Sequence, residues 1–557
     1  MLFWIAASSV WCVSASTRLG ATFDEPTYIT LGLESWRTGS SKSLLDLGTM
    51  PLPPHVQTLP LHLWERWRGE QFDIARDLHR MLPAARLGTL LFWWILLLYG
   101  WRAGRQLAGP WGGRLAIVFL ACEPNLLAHA GLATTDVAVS ACLLALLYHF
   151  RVGRGEPWHR RVLVPAAWFA LAVLTKASGL VFGVIGLCMV EVQYQSQTIS
   201  ESGLWRRFRA MSAALFARPF RRDLASICTL GLIAVFCYCG SDWLPSPSFV
   251  KWAHQLPEGQ VRSAMVWFAE HLCIFSNAGM ALVRQFRHNV QGHGVFLLDQ
   301  VERRAIWYYF PLALSIKSPL PLLVAPLMLA GICRRALWNW AFAAALALLG
   351  FSLVCRVQTG IRLMLPLIAL AVVGLAAALV IARERLAQTR WRPVLTASCV
   401  LSGAWLFAAS LIVWPEGLCY TNELWGGTAN GYRCLSDSNY DWGQGLKELT
   451  AWQQEHQVDD LHVLYYGTDS TLKHLPMKPL KVGALDLGPD DLPMSVQGGT
   501  LAVGTSIVYG SVSETFPDLR ILARSLRRLT PVDRTPTFLI YRFPPPDALA
   551  EVGGAEP

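Results

Sequence analysis

Long apolar runs separated by short polar segments dominate the first 415 residues of the chain. Several runs are shorter than the roughly 20 residues of a standard membrane-spanning helix, and the stretch 162–193 fits either one long helix or two. The pattern predicts a polytopic α-helical membrane protein with about 11 transmembrane helices. The candidate runs lie near residues 2–17, 84–100, 113–127, 134–150, 162–176, 178–193, 224–241, 309–332, 337–355, 363–382 and 393–414.

The arginines between these runs indicate how the chain crosses the membrane. If the stretch 162–193 forms two helices, the arginine-rich loops 101–112, 151–161, 194–223, 333–336 and 383–392 share one side. Basic loops stay on the cytoplasmic side, so the N-terminus is predicted to be cytoplasmic. The outer side then receives loops 18–83 and 242–308 and everything after about residue 415.

The residues after the last apolar run have the composition of a soluble segment. A helix-like run follows Asp441, and strand-like runs cover Leu461–Tyr466, Thr500–Ile507 and Thr537–Tyr541. We expect residues 1–415 to form the membrane domain and residues 416–543 a small outer α/β domain. The tail 544–557, which begins with three prolines, is expected to be disordered.

Composition supports a membrane protein and changes little else. Of the 557 residues 53% are hydrophobic and 15% are charged, and the mean hydropathy is +0.35, which argues against a soluble enzyme. The net charge of +10 lies in the loops rather than on one basic face, so it reports topology and not nucleic-acid binding. Most of the 13 cysteines fall in apolar runs. Cys419 and Cys434 both fall outside the membrane, where a disulfide is an open alternative.

The first apolar run has two interpretations. Ser14-Ala15-Ser16 would suit cleavage of a signal peptide, but no Lys or Arg precedes the run. We favour a retained helix.

Two adjacent carboxylates, Asp24 and Glu25, follow this first run, in the sequence Phe-Asp-Glu-Pro-Thr-Tyr that ends at Tyr28. An acidic pair where a transmembrane segment meets the outer surface suggests a function. The simpler alternative is helix capping, with Asp24 as the N-cap and Pro26 opening the helix.

A second candidate is the polar hairpin between the third and fourth runs, which contains His129 and Asp136. Asp136 could be a favourable first-turn acid, and His129 a hydrogen-bonded surface residue. Further polar groups on the predicted outer side are His293, in Gly-His-Gly, and two cations near helix ends, Lys317 and Arg362. Such cations can meet a phosphate or merely extend towards the membrane surface.

Together, outer carboxylates and outer cations suit one reaction. A carboxylate accepts a proton from an attacking hydroxyl group while cations steady a departing lipid phosphate. In a membrane protein, this combination indicates a lipid-linked donor.

Four motifs resemble those of the GT-C membrane glycosyltransferases, and the branch of protein O-mannosyltransferases and aminoarabinose transferases, glycosyltransferase family 39 and relatives, looks closest. The resemblance covers residues 1–415. It implies a GT-C fold, a polyprenyl-phosphate sugar donor and inversion at the anomeric carbon. The motifs are Phe23-Asp24-Glu25, Pro124-Asn125-Leu126-Leu127-Ala128-His129 with Thr134-Thr135-Asp136, Gly292-His293, and Thr359-Gly360-Ile361-Arg362-Leu363-Met364-Leu365-Pro366.

The resemblance also implies roles for single residues. Asp24 would be the catalytic base, Glu25 its companion and Asp136 the acid of the second loop. Lys317 and Arg362 would lie beside the phosphate, and we expect Tyr28, His129 and His293 to contact substrate. Asp24, Glu25, Asp136 and His129 could also bind a divalent metal, but their spacing is not diagnostic and we expect no metal or other cofactor to be required.

The chain departs from the family in the first outer loop, where relatives carry His-Pro-Pro-Leu and this sequence has Met50-Pro51-Leu52-Pro53-Pro54-His55-Val56. This departure puts acceptor recognition there in doubt. A polar stretch from Asn422 to Gln444 looks like one appended to bacterial members and has no assigned role. The expected protein is therefore a multi-pass enzyme of the bacterial cytoplasmic (inner) membrane. Its partners would be a polyprenyl-phosphate sugar, an unknown protein, lipid or glycan hydroxyl acceptor and the bilayer, without nucleic acid.

Two alternatives remain open from the sequence. A transporter or flippase would place charges near the middle of the membrane and show internal symmetry. A non-catalytic scaffold would use its outer domain for binding and its acids for helix capping.

Overall fold

The structure is a computed structural model that describes residues 1–198, 213, 215–271, 273, 277–483, 485–488 and 491–543. Six helices in this part of the chain are long and apolar enough to cross a membrane on their own. The protein is thus a multi-pass α-helical membrane protein, and the predicted number of about 11 spans stays a prediction. The bundle helices are Leu2–Arg18, Ile74–Ala121, Asp136–Val152, Val164–Thr175, Ser178–Thr198, Arg218–Cys239, Tyr309–Lys317, Leu320–Leu337, Trp340–Ser352, Leu365–Arg385 and Trp391–Val413.

Local breaks interrupt the apolar runs at three places. The run 84–100 and the first part of the run 113–127 lie in one long element, Ile74–Ala121, which is interrupted at Ala108 and Gly109, directly before Pro110, and the end of the second run lies in the separate helix Pro124–Ala130. The stretch 162–193 forms two helices, because Lys176 adopts an extended conformation. The run 309–332 is split at Ser318, since the proline that follows cannot donate a backbone hydrogen bond and disfavours a helical conformation before it.

The helix Leu365–Arg385 forms the centre of the bundle and is buried along most of its length. Gly374 lets the helix Trp340–Ser352 approach closely, because a Cβ at this position would lie only 2.5 Å from the amide nitrogen of Phe342. A 3-10 turn, Ile361–Met364, leads into the central helix. The start of this helix is therefore buried in the protein core.

The two ends of the bundle differ in chemistry. At one end, Arg154 pairs with Glu191 at 2.8 Å and with Asp223 at 3.0 Å, beside the basic loop 151–161. At the other end lie the short helices and strands that carry the predicted outer segments. The predicted loop arginines Arg206, Arg207 and Arg209 lie outside the described residues, as does the tail 544–557.

Short elements of the loops cover the end of the bundle that carries the C-terminal residues. A small antiparallel hairpin pairs β1 (Val295–Leu297) with β2 (Gln300–Glu302). The helices at this end are Glu25–Thr38, Lys42–Asp46, Leu52–Arg68, Pro124–Ala130, Pro247–His254, Gln260–His271 and Ala278–Gln291.

A five-stranded sheet forms the core of the C-terminal segment. Its strands are β3 (Leu461–Leu464), β4 (Lys478–Pro479), β5 (Thr500–Gly504), β6 (Asp533–Arg534) and β7 (Phe538–Arg542), in the order β4-β3-β5-β7-β6. β3 pairs in parallel with β4 and β5, whereas β7 is antiparallel to β5 and β6.

β3, β5 and β7 lie in the three strand-like runs of the sequence. The helices Leu446–Glu455, Thr505–Val508 and Pro517–Arg528 accompany the sheet. Cys419 and Cys434 are both free thiols in this structure.

Candidate active site

Asp24 occupies the N-cap position of the helix Glu25–Thr38, but its side chain makes no capping hydrogen bond. Instead, Oδ2 accepts a hydrogen bond from Nη1 of Arg362 at 2.7 Å. The Tyr28 hydroxyl lies 3.4 Å from the same oxygen, one helical turn further on, and burial raises the pKa of Tyr28, which keeps this hydroxyl protonated. The Asp24 side chain is still 23% exposed, so the carboxylate faces a cation and remains reachable.

Arg362 links the two aspartates that the sequence singles out. It lies in the 3-10 turn before the central helix, and its Nη1 is also 3.9 Å from Oδ2 of Asp136. Cζ of Arg362 lies over the ring of Trp442, 4.2 Å from its centroid, in a cation–π contact. One arginine thus contacts the predicted loop 18–83, the start of the helix after the polar hairpin that contains His129, and the C-terminal segment.

Asp136 is completely buried at the start of the helix Asp136–Val152. Its Oδ1 accepts a hydrogen bond from Nζ of Lys176, whose side chain is 22% exposed. The sequence analysis did not select Lys176, although it stands at the end of an apolar run. A lysine in the short turn between two predicted spans, on the same side as both acids, was the available signal.

Glu25 is buried beneath the site and is fully engaged. Its two oxygens accept hydrogen bonds from Arg86 at 2.8 and 2.7 Å, from the amide of Ala133 at 2.7 Å and from the amide of Thr22 at 2.8 Å. Burial opposes ionisation, but the charge and hydrogen bonds of Arg86 and the hydrogen bonds from the Thr22 and Ala133 amides together hold the pKa of Glu25 below its ordinary value. Arg86, which the sequence analysis did not select, therefore locks Glu25 as a carboxylate.

His129 borders the same site from the short helix Pro124–Ala130. Its imidazole is buried and its ring lies 6.2 Å from that of Trp442. Burial lowers the pKa of His129 to about 4, so the ring is neutral at physiological pH. Nδ1 is buried and has no hydrogen-bond partner among the described residues.

Two further predicted residues lie away from the acids. Lys317 is buried, and its Nζ donates hydrogen bonds of 2.7 Å to the carbonyl oxygens of Leu418 and Asn439. His293 is exposed, and its ring nitrogen Nδ1 contacts the carbonyl oxygen of Gly294. In this geometry Lys176, rather than Lys317, is the lysine next to the site acids.

The C-terminal segment contributes a third carboxylate that the sequence analysis did not select. Asp437 adopts a left-handed backbone conformation with φ of 57°, which is uncommon for a residue other than glycine and often found at functional sites. Burial raises the pKa of Asp437, and the nearby charge of Arg362 lowers it. Nothing in the sequence distinguished Asp437 from the neighbouring polar residues of its stretch.

The described residues contain no group of three or more His, Cys, Asp or Glu side chains arranged to hold a metal ion. The two acids at the centre instead have Arg362 and Lys176 as partners. The arrangement combines a reachable carboxylate with two partly exposed cations. Such a set can accept a proton at one point and stabilise negative charge at another.

Comparisons with known proteins agree with the motifs. Residues 79–218 match the sequence model of a family described as dolichyl-phosphate-mannose-protein mannosyltransferase. This segment contains His129, Asp136 and Lys176 but neither Asp24 nor Arg362. The match confirms the resemblance to GT-C membrane glycosyltransferases. No curated protein sequence matches the chain significantly.

Among solved structures, the chain is similar to ArnT from Cupriavidus metallidurans. For the crystal structure bound to undecaprenyl phosphate the identity is 13%, with 97% of each chain covered and a TM-score of 0.43. For the apo state the identity is 14%, with the same coverage and a TM-score of 0.44.

Proposed function

We propose that the protein is an inverting glycosyltransferase that moves a sugar from a polyprenyl-phosphate donor to a hydroxyl acceptor at the outer face of the membrane. The observation that carries the proposal is the position of Arg362, whose guanidinium lies between Asp24 and Asp136 while Lys176 holds Asp136 from the other side. The family match over residues 79–218 supports the same class of enzyme.

Asp24 is the proposed general base. It is the only one of the paired acids Asp24, Glu25 and Asp136 whose side chain is substantially exposed, so an acceptor hydroxyl can reach it. The acceptor oxygen would attack the anomeric carbon as the bond from that carbon to the phosphate oxygen breaks. The acceptor proton would pass to Asp24, and polyprenyl phosphate would leave with the bonding electron pair.

Arg362 and Lys176 are the proposed partners of the departing phosphate. Both side chains are partly exposed, at 12% and 22%. Preorganised cations at the point where negative charge develops lower the barrier, because they need no reorganisation during the reaction. Asp136 would orient both cations rather than react, since it is fully buried.

Glu25 acts as a positioning residue in this proposal. A carboxylate that already accepts hydrogen bonds from Arg86, Thr22 and Ala133 cannot take a further proton without losing them. Its bond to the Ala133 amide ties the first outer loop to the second. Glu25 would therefore hold Asp24 and Asp136 at their mutual distance, and no metal is required by these roles.

The position of the charges favours an enzyme over a transporter. Asp136, Lys176 and Arg362 all stand at ends of helices on the side of the C-terminal segment, whereas a transport path would carry charges near the middle of the membrane. The pairing of Asp24 with Arg362 instead of a helix cap also disfavours the scaffold alternative.

The proposed location is the bacterial cytoplasmic membrane, with the C-terminal segment outside. The arginine-bearing ends of Leu320–Leu337 and Leu365–Arg385 lie opposite the site, as the positive-inside rule requires for cytoplasmic loops.

Sugar transfer by the purified protein in lipid tests the proposal. A panel of radiolabelled polyprenyl-phosphate sugars would be offered with extracted membrane acceptors to wild type, Asp24→Asn and, as a control, Glu156→Gln, which removes an exposed acid at the opposite end of the bundle. We expect Asp24→Asn to lower turnover by at least about 10²-fold and the control to retain it. Equal turnover in Asp24→Asn would remove Asp24 as the base, and no transfer by wild type from any donor would contradict the proposed function.

A further inference from the structure

We infer that Trp442, in the C-terminal segment, is a positioning residue for the transfer reaction, because its ring holds the Arg362 guanidinium between the two aspartates. The inference rests on the proposed function and extends the active site beyond the membrane domain. Its starting point is the 4.2 Å distance between Cζ of Arg362 and the centroid of the Trp442 ring.

The Trp442 ring fixes the orientation of the guanidinium plane, which the other contacts of Arg362 do not. Asp24 and Asp136 both approach a single nitrogen, Nη1, at 2.7 and 3.9 Å. Nε is buried and has no hydrogen-bond partner among the described residues. Two contacts at one nitrogen do not fix the plane of the guanidinium group. An aromatic face does, because a guanidinium stacks flat on it and tryptophan is the strongest partner for such a contact.

Trp442 itself is rigidly held. Its side chain is 1% exposed and packs with Leu132 and Leu418 in a small apolar cluster. Its amide donates a hydrogen bond to Oε1 of Gln444 at 2.8 Å. A ring held in this way keeps the guanidinium group above it in one orientation.

Trp442 also holds the backbone next to Asp24. The carbonyl oxygen of Trp442 accepts a hydrogen bond from the amide of Phe23 at 2.8 Å, and Phe23 directly precedes Asp24. The Thr468 hydroxyl donates a hydrogen bond of 2.6 Å to the carbonyl oxygen of Phe23. Trp442 thus contacts Arg362 through its ring and the neighbour of Asp24 through its backbone.

Asn439, three residues before Trp442, holds the backbone next to Arg362. Oδ1 of Asn439 accepts a hydrogen bond from the amide of Ile361 at 2.9 Å, next to Arg362, while Nδ2 of Asn439 donates to the Tyr309 hydroxyl at 2.9 Å. The stretch 439–442 therefore places the backbone on which Arg362 stands as well as its side chain.

A double-mutant cycle in sugar transfer separates positioning from general packing. The four proteins are wild type, Trp442→Leu, Arg362→Gln and the double variant, with Trp442→Phe as the conservative replacement. We expect Trp442→Leu to lower kcat by at least about tenfold, the size of a desolvated cation–π contact, and to change KM for the donor much less. Trp442→Phe should recover part of the loss, because it keeps an aromatic face.

The decisive comparison is the effect of Trp442→Leu when Arg362 is already Gln. If the tryptophan acts through the arginine, kcat of the double variant should equal that of Arg362→Gln within about twofold. If the losses in kcat of the two single variants instead multiply in the double variant, Trp442 acts by another route, and this result would overturn the inference. The matched control is Trp340→Leu, which also removes a buried indole but one bonded to Gln106, and it should leave kcat unchanged in folded protein.

The thermal unfolding midpoints of the same four proteins keep this inference distinct from the proposed function. Because the contact exists without substrate, the two substitutions should be coupled in stability as well. If the midpoint shifts are coupled but wild type transfers no sugar, the proposed function is contradicted and the Arg362–Trp442 contact is still supported. If the midpoint shifts of the two single variants simply add in the double variant, the two side chains do not interact, and the contact itself is overturned. If Trp442→Leu does not fold, the cycle is carried out with Trp442→Phe.

Discussion

Asp24 and Arg362 form an ion pair with 2.7 Å between Oδ2 and Nη1, although they stand 338 positions apart in the sequence. The pair has a mechanistic consequence. The cation that contacts the proposed base is also the proposed partner of the donor phosphate. Because this contact exists before any donor arrives, the base and the cation are already placed side by side when the reaction begins.

Replacing Arg362 separates the importance of its charge from that of its shape. Arg362→Lys keeps a cation but loses the planar group that faces Asp24 and Trp442 together, so we expect a loss in kcat smaller than that of Arg362→Gln. For Arg362→Gln, which removes the charge opposite the leaving group, the expected loss is about 10²-fold or more. The measurement is single-turnover sugar transfer at saturating donor. Equal rates for wild type and Arg362→Lys would show that charge alone matters.

The bundle could be predicted from the sequence because its signals are local. Apolar runs mark helices wherever they occur, and three strand-like runs of the C-terminal segment coincide with β3, β5 and β7. The ends of helices were harder, since a single residue such as Pro319 or Lys176 divides an apolar run without altering its mean hydropathy.

Only part of the site could be predicted from the sequence, and the reason is physical. Asp24, Asp136 and Arg362 were selected because charged residues at the ends of apolar runs are costly without a function. Lys176 and Arg86 carry the same kind of signal, but nothing in the sequence pairs either of them with an acid, and Trp442 carries none. Arg86 lies within an apolar helix and Trp442 in a polar stretch, and only the tertiary fold brings each to its acid or cation. Long-range pairing of this kind has no periodicity in the sequence.

The Glu25–Arg86 ion pair should matter for stability more than for chemistry. Both side chains are almost completely buried, and removing one partner of a buried pair typically costs about 3–5 kcal/mol because the other charge is left unpaired. We expect Glu25→Gln to lower the unfolding midpoint strongly, as measured by thermal unfolding in detergent. Glu156→Gln, which breaks the exposed pair with Arg160, should change it little. Similar midpoints for both variants would contradict the structural role of Glu25.

The C-terminal segment should become less stable as pH rises. Burial raises the pKa of Glu416 to about 7, and burial, with the charge of Glu416, raises the pKa of Glu448 to about 9. Both groups bind protons more tightly when folded, so their contribution is fully present below the ordinary pKa of 4.5 and is lost as pH rises towards 7 and then 9. Unfolding midpoints between pH 5 and pH 9 should therefore fall.

Glu448→Gln provides the control for this pH dependence. The amide cannot ionise, so the midpoint of the variant should decline less between pH 5 and pH 9 than that of wild type. Parallel curves for the two proteins would assign the dependence to other groups.

Lys176 and Lys317 form a matched pair that distinguishes the structural from the sequence-based assignment of the phosphate-side lysine. Lys176 is partly exposed beside Asp136, so Lys176→Met should impair transfer in a protein that still folds. Lys317 is buried, and its ammonium group satisfies the carbonyl oxygens of Leu418 and Asn439.

Lys317→Met should leave those two acceptors unpaired, at about 1–3 kcal/mol each, and so lower the unfolding midpoint. The stability and the donor KM of the two variants would be measured side by side. A donor KM raised by Lys317→Met at unchanged stability would restore Lys317 as the phosphate ligand. The opposite pattern would assign that role to Lys176, because a cation can bind the phosphate only where it is not already committed to holding the C-terminal segment in place.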